Sequence, residues 1–243
     1  MLWEYCETAQ MNSRDIPLRI PLASGAAVSG LLRQPRSPRA CFVMAHGAGA
    51  GMGHPFLSQL ASALGERSVA TLRYQFPYME QGSKRPDTPA VAHAAVRAAV
   101  TAAATALPGV PLFAGGKSFG GRMTSQAQAQ SPLQGVRGLI FVGFPLHASG
   151  KPSRERARHL SQVAVPMLFL QGTRDALADL ALMQACAQDL GELAHLHVAQ
   201  GADHSFHVLV RSGRGDDEVF AELGGSIATW VDKTLLDHLT AKR

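Results

Sequence analysis

Cysteine, charge and long apolar runs are all scarce in this sequence. Its 243 residues include 3 cysteines, Cys6, Cys41 and Cys186, which are too few and too scattered for a disulfide framework or a CxxC metal pair. No run approaches the roughly 18 apolar residues of a membrane-spanning helix. A secretory signal peptide begins with a basic segment, and this sequence has no basic residue before Arg14. We therefore expect a cytoplasmic protein that does not bind membranes, with Cys41 and Cys186 as buried thiols.

Charged residues make up only 17% of the chain, and the net charge of +5 is spread rather than clustered. The basic residues form two small groups, Lys84 with Arg85, and Lys151 with the three arginines in 154–158. A nucleic-acid-binding protein would concentrate such charge on one face. We therefore expect no nucleic-acid partner. Lys84, Arg85 and Lys151 are candidate contacts for an anionic substrate, with solvated surface as the alternative.

The chain does contain enough apolar material for one large core. Hydrophobic residues make up 46% of it, and no linker, repeat or low-complexity tract divides it. We predict an N-terminal extension, residues 1–14, followed by a single domain, residues 15–243. The sequence leaves a monomer and a homodimer open.

Short apolar runs alternate with longer segments of helical periodicity. Near-continuous runs of this length are typical of strands buried on both faces of a parallel sheet. We predict strands at 41–47, 69–76, 110–116, 138–144, 165–172 and 193–201, and helices at 55–67, 88–107, 178–190 and 216–239. Runs at 15–23 and 26–35 are predicted to pair antiparallel at the sheet edge. This order predicts an α/β fold with a mostly parallel central sheet flanked by helices.

The sequence GGKSFGG, residues 115–121, contains a G-x-S-x-G motif around Ser118. It follows a predicted strand and precedes a predicted helix, which is the setting of a nucleophile elbow. Glycine at 116 and 120 removes side chains that would collide with neighbouring backbone in such a sharp turn. We predict that Ser118 is an exposed nucleophile near the positive end of the following helix. A glycine-rich turn with an incidental serine is the alternative.

A serine nucleophile needs a base and a group that orients the base. Asp175 and His204 each lie shortly after a glycine that ends a predicted strand. Both fall at the carboxyl edge of the sheet, where open α/β sheets place their sites. We predict Asp175 as the acid and His204 as the base, although Asp175 could instead cap a helix. Asp179 is a rival acid, and the competing histidines are His46, His147, His195, His197 and His207.

Residues 45–56, AHGAGAGMGHPF, follow another predicted strand and contain several glycines whose N–H groups are open. An oxyanion hole needs two N–H donors aimed at one point. We predict these donors to be Phe119, directly after the nucleophile, and Ala48, with Gly49 as the alternative to Ala48. His54 is a further candidate substrate contact. A phosphate-binding loop is disfavoured because neither a P-loop ending nor a GxGxxG pattern is present.

The chain resembles the α/β-hydrolase superfamily over nearly its full length. The resemblance is carried by four segments in this order: HGAGAG, GGKSFGG, QGTRD and GADHSF. RYQFPYMEQGSKRPD and FPLHASGKP are similar to a dienelactone-hydrolase-like branch, which includes bacterial relatives of subunit three of the metazoan non-specific-lethal complex. Dienelactone hydrolases proper carry cysteine where this chain has Ser118. The resemblance implies an α/β-hydrolase fold with a minimal lid or none, because only a short segment separates Phe144 from Val165.

These features together predict a serine hydrolase that cleaves a small carboxylic ester, lactone or thioester through an acyl-enzyme. Ser118 would attack the carbonyl, His204 would move the proton, and Asp175 would orient the imidazole. No cofactor or metal is expected, and the expected partner is a small ester-type substrate. Two alternatives stay open. One is a non-catalytic binding or scaffold protein on the same fold. The other is an acyltransferase or perhydrolase with the same triad.

Overall fold

The computed structural model of the protein describes residues 14–240. Within that range the strands are β1 (Asp15–Pro21), β2 (Ala27–Arg33), β3 (Ala40–Ala45), β4 (Val69–Tyr74), β5 (Leu112–Lys117), β6 (Val136–Val142), β7 (Met167–Gly172) and β8 (Ala194–Ala199). The α-helices are α1 (Pro55–Gly65), α2 (Pro77–Glu80), α3 (Pro89–Ala106), α4 (Phe119–Gln130), α5 (Leu180–Leu190) and α6 (Asp216–Thr240). Short 3₁₀ helices cover Glu155–Gln162, Gly191–Leu193 and Val210–Ser212.

These strands form one sheet in the order β1-β2-β4-β3-β5-β6-β7-β8. The pairs β1–β2 and β2–β4 are antiparallel, and every later pair is parallel. Because β3 and β5 to β8 run in one direction, their carboxyl ends meet at one edge of the sheet. The segments that follow these strands are therefore brought together there.

Alternate side chains along the strands face two separate hydrophobic layers. On one face, residues such as Phe42 pack with Leu60 of α1 and Ile227 of α6. On the other face, Val43 packs with Ala99 of α3 and Met123 of α4. Burying apolar area on both faces stabilises the fold by about 25 cal/mol for each Å² removed from water.

Helix α3 shows how the sequence sets the spacing between sheet and helix. Pro89 opens its first turn, where a missing backbone N–H costs no helical hydrogen bond. Its buried positions are mostly alanine, at 92, 95, 99 and 103, which recur at helical spacing. Because these side chains are small, the helix axis can lie close to the sheet.

The predicted α/β-hydrolase fold is confirmed, with a mostly parallel sheet, flanking helices and an antiparallel edge pair. The last strand differs from the prediction of burial on both faces: most of β8 is partly exposed, because it lies at the sheet edge. The four-residue helix α2 was not predicted, because it is too short to show a period. The predicted N-terminal extension, residues 1–14, lies outside the described residues except for Arg14.

None of the helices in residues 14–240 has both the length and the apolar character needed to span a membrane.

Candidate active site

Ser118 lies in a strained turn between β5 and α4. Its φ of 48° and ψ of −113° fall in a region that side chains rarely adopt. A Cβ atom at Gly116 would lie 2.2 Å from the carbonyl oxygen of Ala45, and one at Gly120 would lie 2.6 Å from that of His46. Both contacts are impossible for a side chain, so glycine is required for the turn to pack against β3. The strain places Ser118 at the tip of the turn.

His204 contacts both Ser118 and Asp175. Its Nε2 lies 2.9 Å from Ser118 Oγ, and its Nδ1 lies 2.7 Å from Asp175 Oδ2. The side chain of Asp175 is nearly inaccessible, at 1% exposure, whereas that of His204 is 24% exposed. A proton can therefore pass from the serine hydroxyl to the imidazole, with a desolvated carboxylate behind the ring.

The loops that carry these residues are held close together. A Cβ atom at Gly172, the last residue of β7, would lie 2.3 Å from the carbonyl oxygen of Ala202, so only glycine allows the approach. The turn containing His204 is closed by Asp203, whose carboxylate accepts from the N–H groups of Ser205 and His207. Backbone packing and these hydrogen bonds thus hold the two loops in place.

The carboxylate of Asp175 is saturated with donors. Leu177 N–H donates to Oδ1 at 2.8 Å, and Gln171 Nε2 donates to Oδ2 at 2.5 Å. The rival Asp179 instead caps α5, since its Oδ1 accepts from Leu182 N–H at 3.0 Å. Asp175, and not Asp179, is the carboxylate that faces His204.

His46 is a buried neutral histidine that anchors the glycine-rich loop after β3. Phe76 N–H donates to its Nε2 at 3.0 Å, so its Nδ1 carries the proton and donates to the Gly47 carbonyl at 2.8 Å. Burial lowers the pKa of His46 to about 4, against a smaller raising effect from the bond to Gly47. His46 is therefore not available as a base and serves to hold this loop in place.

The N–H groups of Gly49 and Ala50 in this loop already have acceptors. Gly49 N–H donates to the hydroxyl of Tyr78 at 3.2 Å, and Ala50 N–H donates to the Gly47 carbonyl at 3.2 Å. In the described residues the N–H groups of Ala48 and Phe119 form no such bond. Phe119 is also the first residue of α4, where N–H groups lack helical acceptors.

Sequence reasoning missed the side chains that support this loop. Gln75 Oε1 accepts from Met52 N–H at 2.8 Å. The fully buried Arg73 donates to the Met52 carbonyl at 3.3 Å and to Ser58 Oγ at 2.7 Å, and it is paired with Asp15. Burial favours protonation of Asp15, but hydrogen bonds from arginines outweigh it and hold its pKa below the usual range. An arginine inside a mostly apolar strand was the signal available in the sequence.

The predicted substrate contacts are all exposed. His54 caps α1 by accepting from Phe56 N–H through Nδ1 at 3.2 Å. Lys84 and Arg85 lie between α2 and α3, and Lys151 lies after β6. In residues 14–240 no hydrogen bond or ion pair joins any of these four side chains to Ser118, Asp175 or His204.

Three of the rival histidines, His147, His197 and His207, have local structural partners. His147 Nε2 accepts from Asp179 N–H at 2.8 Å, which links the segment after β6 to α5. His197 lies 2.7 Å from Glu222, and His207 lies 2.8 Å from Asp216. His195 lies exposed on β8. Ser118 is hydrogen-bonded to none of them.

The described residues offer no candidate site for metal binding or for cysteine chemistry. No group of three His, Cys, Asp or Glu side chains there could hold a metal ion. Cys41 and Cys186 are buried free thiols, as predicted. Burial raises the pKa of Cys41 to about 12, so this thiol is a poor nucleophile. Cys6 lies outside the described residues.

The segment between β6 and β7 carries no lid domain. It contains the 3₁₀ helix Glu155–Gln162 and otherwise irregular chain. Ala157 and Leu160 of this helix are buried, so it packs onto the body of the molecule. Nothing in this segment forms a separate layer above the sheet edge.

A comparison of the sequence with protein families identifies its class. The profile described as "Alpha/beta hydrolase domain" matches residues 38–232, which is most of the chain. The chain therefore belongs to the α/β-hydrolase domain family. The match includes Ser118, Asp175, His204 and the glycine-rich loop. The narrower resemblance to relatives of the non-specific-lethal complex subunit stays a prediction.

Solved structures of the same architecture are similar to the chain at low sequence identity. An α/β serine hydrolase homologue from Coxiella burnetii is 21% identical, with 88% of this chain and 98% of that chain covered and a TM-score of 0.67. A dienelactone hydrolase from Anabaena variabilis is 17% identical, with 89% and 96% covered and a TM-score of 0.69. A lidless α/β serine hydrolase from Xanthomonas campestris is 19% identical, with 90% and 95% covered and a TM-score of 0.70. At this identity the likenesses show the fold alone.

Proposed function

We propose that the protein is a serine hydrolase that cleaves a small carboxylic ester, lactone or thioester through an acyl-enzyme. The observation that carries the proposal is the chain of two hydrogen bonds, 2.9 Å and 2.7 Å, from Ser118 through His204 to Asp175. Family membership supports it, since the three residues follow in the order nucleophile, acid, histidine that this fold uses.

Each residue has one role in the proposed reaction. Ser118 Oγ attacks the substrate carbonyl carbon, and His204 Nε2 accepts its proton. The protonated imidazole then donates that proton to the leaving group. Asp175 fixes the Nδ1–H tautomer and stabilises the imidazolium. Water, deprotonated by the same imidazole, releases the acyl group and restores Ser118.

As the carbonyl oxygen of the substrate becomes negatively charged, it accepts hydrogen bonds from the N–H groups of Phe119 and Ala48. Gly49 is the weaker choice, because its N–H already donates to Tyr78. The loop that holds Ala48 is fixed by His46, so the donor needs no rearrangement when charge develops. Preorganised donors of this kind are each worth about 10²- to 10³-fold in kcat.

Ester turnover by Ser118→Ala tests the proposal. Removing Oγ eliminates the nucleophile without touching the core, so kcat should fall by about 10³-fold or more with an unchanged melting temperature. The matched control is Ser131→Ala, which removes an exposed hydroxyl just beyond the end of the same helix. Near-normal turnover by folded Ser118→Ala would rule out the assignment.

The products distinguish hydrolysis from the alternative chemistries of the same triad. A hydrolase yields mainly the free acid even when alcohol is added, because water is the preferred acceptor of its acyl group. An acyltransferase would form the new ester in preference to the acid, and a perhydrolase would form peracid when peroxide is supplied. If no ester, lactone or thioester reacts and Ser118 is inert to active-site reagents, a binding protein on this fold is the better account.

A further inference from the structure

Lys117 is a partly buried lysine that the proposed reaction does not use. It is the last residue of β5 and directly precedes Ser118. Its ammonium donates to the backbone carbonyl of His204 at 2.6 Å. Within residues 14–240 it forms no ion pair with a carboxylate. Its one hydrogen-bond acceptor therefore belongs to the residue that contacts Ser118.

The surroundings of this ammonium are built to accept it. The rings of Phe56 and Phe206 lie 5.7 Å and 5.6 Å from Nζ, within the range of cation–π attraction. A Cβ atom at Gly143 would lie 3.0 Å from Nζ and 3.5 Å from the ring of His204. Glycine at 143 thus leaves room for the lysine and the imidazole side by side.

Placing a cation here has a cost, which the contacts only partly offset. Burial lowers the pKa of Lys117 to about 8, against the attraction of Asp175 and Asp203. The titratable groups that face it are these two carboxylates and His204, since its neighbours from α1 and from the turn after β6 are Phe56 and Gly143. An apolar side chain of similar length would fill the same space without this cost.

We propose that Lys117 is a positioning residue, whose ammonium fixes the His204 loop to the strand end that carries Ser118. This inference rests on the proposed hydrolase function. The nucleophile and its base lie on different loops, so their separation depends on the relative position of β5 and the turn after β8. A charge-assisted bond from the residue adjacent to the nucleophile sets that separation directly. The reaction rate is sensitive to this distance, since a shift of about 1 Å can lower the rate by about 10²-fold.

The test is the rate at which a fluorophosphonate labels Ser118, measured for wild type and Lys117→Met across pH. Methionine matches the length of the lysine and suits the aromatic pocket. Lys233→Met, on the exposed face of α6, is the control. Each measurement is made below the melting temperature of the variant, so that loss of fold is not mistaken for loss of positioning.

We expect Lys117→Met to be labelled about tenfold or more slowly than wild type, because the His204 loop is no longer held at its distance from Ser118. The variant should melt no lower than wild type, because an apolar side chain removes the cost of burying a charge. The wild-type rate should fall as pH rises through about 8, where the ammonium loses its proton. This fall should be missing in Lys117→Met and present in Lys233→Met.

Equal labelling rates and identical pH profiles for wild type and Lys117→Met would overturn the inference while leaving the proposed function intact. A wild-type protein that is not labelled at Ser118 would instead overturn the proposed function, so the two failures are distinguishable.

Discussion

At the scale of single residues, the Oδ2 atom of Asp175 determines the tautomer of His204. Its Oδ2 faces both His204 Nδ1 and the amide nitrogen of Gln171, so that position must be an acceptor. A carboxylate supplies one and forces the imidazole proton onto Nδ1. His204 Nε2 then has a free lone pair directed at Ser118. The tautomer of His204 is therefore set by Asp175.

Asp175→Asn should lower kcat by about 10³- to 10⁴-fold. With Oδ1 still accepting from Leu177, the asparagine amide presents a donor to His204 and favours the wrong tautomer. The matched control is Asp179→Asn, which should keep full activity because asparagine caps a helix as well as aspartate does. Steady-state kinetics on one ester settles the choice. Loss of activity in Asp179→Asn with retention in Asp175→Asn would reverse the assignment of the acid.

At the scale of elements, the position of Ser118 depends on how closely α4 approaches β3. A Cβ atom at Gly120 would lie 2.6 Å from the carbonyl oxygen of His46, and one at Gly121 would lie 2.8 Å from that of Gly116. The first turn of α4 thus packs directly against the ends of β3 and β5, because neither glycine places a side chain between them. This contact brings the helix N-terminus, with its free N–H groups, up to Ser118.

Gly120→Ala should destabilise the protein by about 1–3 kcal/mol and impair activity, because the new methyl group overpacks the contact with β3. Gly225→Ala is the matched control, since it also lies in a helix but its nearest neighbour is an Arg67 atom at 4.0 Å. The control should be neutral or more stable by about 0.5–1 kcal/mol, because alanine is the better helix former. Urea unfolding measures both. Equal stability of Gly120→Ala and wild type would contradict the described packing.

The elements and their motifs could be predicted because they depend on local signals. Buried strands are short apolar runs, and parallel strands bring their carboxyl ends together, so the loops with Ser118, Asp175 and His204 had to meet. The partners of Arg73 and Lys117 could not be predicted in this way. Arg73 is bonded to Asp15 and Ser58, and Lys117 to His204, across long stretches of chain. Such contacts follow only once the elements are packed.

Considered whole, the molecule leaves its site open at one edge of the sheet. The 3₁₀ helix Glu155–Gln162 packs down onto the body, and no separate layer covers the loops that follow the parallel strands. An open site offers little apolar surface to a long acyl chain. Lys84, Arg85 and Lys151 are exposed cations without ion-pair partners in the described residues, and we propose them as contacts for an anionic substrate.

The open site predicts higher kcat/KM for acetate and butyrate esters than for laurate esters. It also predicts that a carboxylate-bearing ester is favoured at low salt, because exposed charges act over roughly 10 Å at 0.1 M and further at lower salt. A triple variant that combines Lys84→Gln, Arg85→Gln and Lys151→Gln should lose this salt dependence. The control variant Lys233→Gln should keep it. Highest activity on laurate esters would contradict the first expectation, and salt-independent rates on the charged ester would contradict the second.

The most direct test of the account is to identify the residue that a fluorophosphonate modifies. Digestion and mass spectrometry of the labelled wild-type protein should find one adduct, on Ser118. The adduct should be absent from Ser118→Ala and should form far more slowly on His204→Ala, because the hydroxyl is unreactive without its base. A folded protein that carries no adduct at Ser118, or carries it on another serine, would contradict the account.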